Sequence, residues 1–103
     1  MAVLSSATTA TLTLLELPGT QYRLKRPIVA EVERDPAGFV VAEQSTGVFH
    51  YDPDLSQALT GFLRAFVEQF EFLQRNEEQL APALLSDLER FRTLLEPASG
   101  NDR

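Results

Sequence analysis

One run, Arg26 to Arg75, constrains the fold more than any other part of this chain: short apolar strands lead straight into one long amphipathic helix. Ile28, Ala30 and Val32 alternate with Glu31 and Glu33, the two-residue period of a half-buried strand. Asp35-Pro36-Ala37-Gly38 has the residues of a tight hairpin. Phe39 to Glu43 reads as the returning strand; Val40 and Val41 make it apolar on both faces, as a central strand is. After polar Gln44 to Gly47, Val48 to Tyr51 is a short strand with Phe49 and Tyr51 on one face. Asp54 then stands where a helix N-cap belongs, with Gln57 three residues on as in a capping box. Leu55, Leu59, Phe62, Leu63, Phe66, Phe70 and Leu73 fall at helical spacing up to about Asn76. The pattern predicts an α+β fold: an antiparallel sheet of three to four strands against a long helix, with a second C-terminal helix.

The flanks are shorter. Thr8 to Leu17 reads as a strand, with Leu12 and Leu14 facing one way and Thr11 and Thr13 the other; Pro18-Gly19 is a turn signal. Tyr22 to Lys25 alternates apolar and basic residues. Pro82 opens the second helix, whose stripe is Leu84, Leu85, Leu88, Phe91, Leu94 and Leu95, and Pro97 stops it. The expected organisation is a tail at 1–7, a single domain over 8–96 and a tail at 97–103. A chain of 103 residues is one domain. It buries roughly 65% of its unfolded surface and folds with little margin.

Charge and chemistry narrow the function. Net charge is −6, and residues 35–103 hold five basic residues against twelve acidic ones. Such a surface repels phosphate backbones and suits a basic protein partner, although acidity also serves solubility alone. The chain has no cysteine, consistent with a cytoplasmic protein, and no apolar run that reads as a signal peptide or membrane span. His50 is the only histidine and has no marked nucleophile beside it. Glu31, Glu33, Glu43 and Asp52 could gather to hold Mg²⁺ for phosphodiester cleavage, but the alternation of Glu31 and Glu33 with apolar residues reads first as a solvated strand face. No catalytic residue, metal ligand or cofactor is assigned. Phe72 lies off the main stripe of the first helix, with Gly61, Ala65 and Ala58 roughly on its side. Either the second helix covers this side, which is the preferred reading, or it is a partner face.

The strand order resembles the HicB family of antitoxin-like domains over roughly residues 26–75. The residues that carry the likeness are Pro27-Ile28-Val29-Ala30-Glu31-Val32-Glu33, the turn Asp35-Pro36-Ala37-Gly38, Phe39-Val40-Val41-Ala42, and Tyr51 leading into Leu55 and Ala58-Leu59. Members enter the helix through Gly-x-Thr-x-x-Glu-Ala; here Asp52 replaces the glycine, Asp54 the capping threonine and Gln57 the glutamate before Ala58. The capping chemistry survives the exchange, while the loop backbone differs. The resemblance implies a partly opened ferredoxin-like or ribonuclease-H-like sandwich that covers a small basic RNA-cleaving toxin. Many members add a DNA-binding segment, whereas this C-terminus reads as a plain amphipathic helix. The leading expectation is a non-enzymatic module that masks a small basic partner through Phe72, Glu68 and Glu71 on the first helix and Asp87 and Glu89 on the second. A homo-oligomer is expected, with direct nucleic-acid binding disfavoured. The alternatives are a self-associating adaptor subunit and a divergent metal-dependent nuclease.

Overall fold

The computed structural model describes residues 8–17 and 19–98. The expected tails at 1–7 and from 99 onward, and Pro18 of the expected turn, lie outside them. Six strands and two α-helices follow in the order β1 (Thr8–Leu14), β2 (Tyr22–Leu24), β3 (Ile28–Asp35), β4 (Gly38–Ala42), β5 (Phe49–Asp52), α1 (Leu55–Arg75), α2 (Pro82–Leu94) and β6 (Leu95–Pro97). A single 3₁₀ turn, Glu77–Gln79, occupies the acidic link between the helices. The fold is α+β, as the alternation predicts.

The main sheet is antiparallel in the order β1-β3-β4-β5, so β4 is interior as its double-sided apolar pattern requires. Its register places Leu12 opposite Ala30, Leu14 opposite Ile28, and Val32 opposite Val41. Those residues form the helix-facing side, where Ile28, Ala30 and Val41 are buried. The β3–β4 hairpin turns on Asp35, whose Oδ1 accepts from the N–H groups of Ala37 at 2.8 Å and Gly38 at 3.0 Å. A Cβ at Gly38 would sit 2.7 Å from Cα of Pro53, so only glycine lets the chain leaving β5 pass this close.

α1 begins where the N-cap residue predicts. Oδ2 of Asp54 accepts from the N–H of Gln57 at 2.9 Å. The reciprocal half of the box differs: the N–H of Asp54 donates to Oδ1 of Asp52 at 2.9 Å, which takes the position expected for the Gln57 side chain. The helix, 21 residues and about 31 Å long, joins two halves of the core. Ala58 and Phe62 are buried on the half nearer the sheet. Farther along, Phe66 and Phe70 meet Phe91 of α2 at ring separations of 5.0 and 5.8 Å, and Tyr22 meets Phe70 edge-on at 5.3 Å.

Three expectations at the second helix are corrected. Leu84 and Leu85 are exposed, because only Leu88, Phe91 and Leu94 face α1. Leu95 is not helical. It starts β6, which pairs with β2 through Leu95–Leu24 and Pro97–Tyr22, and the N–H of Ala98 donates to the carbonyl of Gln21 at 2.9 Å. Pro97, placed in the tail by sequence pattern, is thus part of a second, two-stranded sheet, and Ala98 is tied down just past its end. Arg92 anchors the inter-helix turn with a two-pronged bond to Glu77 at 2.8 and 3.0 Å, which holds the Glu77 carboxyl below its ordinary range.

Candidate protein-binding site

α1 buries Phe62, Phe66, Phe70 and Leu73 of its apolar stripe, while Leu55 at its start is exposed; on the side of Gly61 and Ala65 it lies against β5, and beyond β5 that side ends in exposed Phe72. The expectation that α2 covers Phe72 is overturned: α2 lies against Phe66 and Phe70 on another face of α1, and Phe72 is 48% exposed. The expected company also changes. Ala58 is fully buried in the core and takes no part in an exposed side. Gly61 has a specific purpose, because a Cβ there would overlap the imidazole of His50. The imidazole of the lone histidine therefore lies against α1 at Gly61 and is half-buried.

Past Gly61 the helix side becomes a shallow groove. Thr46, Gly47, Val48 and Phe49 wall the half next to β5, and Glu68, Glu71, Phe72 and Arg75 wall the far half. Ala65 and Gln69 line both halves and form a continuous floor. An exposed phenylalanine stands at each end, Phe49 at 66% and Phe72 at 48%. Phe49 is set by the β4–β5 register, opposite Ala42, which turns it away from the helix-facing side. The loop before it is built by Glu43. That carboxylate accepts from Ser45 Oγ and Thr46 Oγ1, both at 2.6 Å, and from the N–H groups of Ser45 at 3.1 Å and Thr46 at 2.8 Å. Burial alone would raise the Glu43 pKa, yet these four donors hold it below the ordinary carboxylate value.

The charged residues of the groove are Glu68, Glu71 and Arg75, a net negative charge. Glu68 is exposed and has no ion pair among the described residues. Glu71 accepts from the Tyr22 hydroxyl at 2.9 Å, which ties α1 to β2; burial and this carboxylate both push the Tyr22 pKa up. Arg75 closes the far end. Of the five residues singled out by sequence for partner binding, Glu68, Glu71 and Phe72 thus come together. Asp87 and Glu89 do not line the groove. They pair with arginines of their own helix, Asp87 with Arg90 at 3.0 Å and Glu89 with Arg92 at 3.4 Å. Sequence reading places Ala65 on the side of Phe72 but does not bring Phe49 or Gln69 to the site, because Phe49 meets this side only through the position of β5 beside α1.

The four candidate nuclease carboxylates stay apart. Register places Glu31 and Glu33 on the open face of the sheet, opposite Ala42 and Val40. Glu31 accepts from the Gln44 amide at 3.3 Å, Glu43 is closed into its own turn, and Asp52 caps the entry to α1. Among the described residues, no three Asp, Glu or His side chains are placed to share a metal ion. No helix there is long and apolar enough to cross a membrane. Comparison of the chain with family models, curated proteins and solved structures finds no match.

Proposed function

We propose that this chain is a non-enzymatic protein-binding module that takes a small basic partner into the groove between Phe49 and Phe72. The observation that carries the reading is that two exposed phenylalanines end one continuous groove whose side is lined by Glu68 and Glu71. Aromatic anchors supply the apolar contact area that dominates interface energetics, while carboxylates beside them select and steer a basic surface. The same carboxylates repel nucleic-acid phosphates, so the partner is a protein. The resemblance to HicB antitoxins extends the proposal: the partner is a small RNA-acting toxin, and the module masks it in the cytoplasm as a homo-oligomer.

Affinity capture from the native lysate, run in parallel with Phe72→Ala and Phe49→Ala baits, tests this. The expected result is a small basic protein held by the unmodified chain, lost from both variants and released as salt is raised. Capture that is indifferent to both phenylalanines would refute the groove as the binding site.

A further inference from the structure

We infer that a second copy of this chain pairs along the outer edge of β1, joining two four-stranded sheets into one of eight strands. Folded proteins guard sheet edges with charges, prolines, bulges or very short strands, because an open edge is a template for another strand. The free edges here can be compared directly. β5 has four residues, ends at Asp52 and runs into Pro53. In the small sheet, β2 and β6 have three residues each and contain Arg23, Glu96 and Pro97. β1 has none of these guards. It is seven residues long, has no charged residue and no proline, and pairs with β3 through seven consecutive positions without a bulge. Among the described residues nothing pairs with its other side.

The occupant that fits is the strand itself. Ala10, Leu12 and Leu14 lie on the helix side of the sheet, where Ala10 is exposed and the two leucines are half-buried. A two-fold axis perpendicular to the sheet at Leu12 sets Leu12 against its own copy and Ala10 against Leu14. On the other face it sets Thr11 against Thr13, a favourable cross-strand pair. Two molecules of charge −6 repel each other, and β1 is the one edge strand among the described residues that carries no charged residue. The contact is one strand long, about 24 Å, well short of a large dimer interface, so the association depends on concentration. This inference deepens the homo-oligomer part of the proposed function and does not depend on the basic partner.

Sedimentation equilibrium over a rising concentration series tests it, with the variant Thr11→Lys/Thr13→Lys. Both threonines are exposed and face away from the helices, so far-UV circular dichroism and Tm should match those of the unmodified chain. The unmodified chain should move from 11.5 kDa toward twice that mass, as should Phe72→Ala, while the lysine variant stays at 11.5 kDa. A monomer at every concentration, a dimer that survives the lysines, or a dimer abolished by Phe72→Ala would each overturn the inference. Capture of the basic partner by the lysine variant is read separately, so the groove and the edge can fail independently.

Discussion

The contact between Gly61 and His50 allows a prediction in which two well-known effects oppose each other. Replacing a mid-helix glycine by alanine ordinarily stabilises a helix by about 1 kcal/mol. At position 61 the added methyl would occupy the space of the His50 ring. Inserting a methyl into filled space costs about 1–3 kcal/mol when side chains must leave their rotamers. His50 is half-buried on β5, with Val41 as its cross-strand neighbour and α1 above it, so the ring cannot stay where it is. Gly61→Ala alone should therefore destabilise the fold, by up to about 2 kcal/mol after the helix gain is subtracted. In a His50→Ala background the obstruction is gone, and the same substitution should stabilise by about 0.5–1 kcal/mol. Urea titrations of the four proteins, followed by far-UV circular dichroism, give the coupling directly. Contacting residues couple, while independent sites add within about 0.5 kcal/mol. If Gly61→Ala stabilises both backgrounds equally, the ring moves aside at no cost and the close packing assigned to this glycine is wrong.

Other substitutions separate packing from recognition. Phe91→Ala removes the ring shared by Phe66 and Phe70 and should cost about 3–5 kcal/mol in the same titration, whereas exposed Phe72→Ala should change stability by no more than about 0.5 kcal/mol. Asp54→Ala removes the bond to the Gln57 N–H and should cost about 1 kcal/mol. Glu43 has a folded pKa below its unfolded value, so its stabilisation is complete above the unfolded value and disappears as pH falls through the folded one. Thermal melts across the acid range should show that loss in the unmodified chain and a shallower acid dependence in Glu43→Gln.

How much of this was legible in the sequence follows from the range of each interaction. Alternation in β3, the Asp35–Gly38 turn, the Asp54 cap and the stripe of α1 are local patterns, and each lies where the pattern places it except at Leu55, which is exposed in the first turn of the helix. The second helix misleads because its leucines outnumber the positions that can face α1. Periodicity alone cannot say that Leu88, Phe91 and Leu94 are the buried set while Leu84 and Leu85 face water. Leu95 is lost to the helix because β2, some seventy residues earlier in the chain, offers it a strand partner. The groove was half legible. Phe72 and the neighbouring Glu68 and Glu71 announce themselves as an off-stripe aromatic among acids, but Phe49 joins them only through the placement of β5 beside α1.

The division of charge over the surface links the two proposed contacts. In the groove, Glu68 and Glu71 stand beside exposed Phe72 with Arg75 as the one cation, so burying that ring against a second copy of the groove would bring together two surfaces of net negative charge. That geometry disfavours self-association at the phenylalanines and favours a basic partner there. At β1 the case is reversed. With no side-chain charge along the strand, there is nothing for a basic protein to select, and the backbone groups and threonine-leucine alternation are complementary to themselves. A chain that kept both contacts acidic could not dimerise, and one that kept both neutral could not discriminate between its own copy and a partner. Under the two proposals, separating an aromatic groove of net negative charge from a neutral strand edge would let one small domain make both contacts at once.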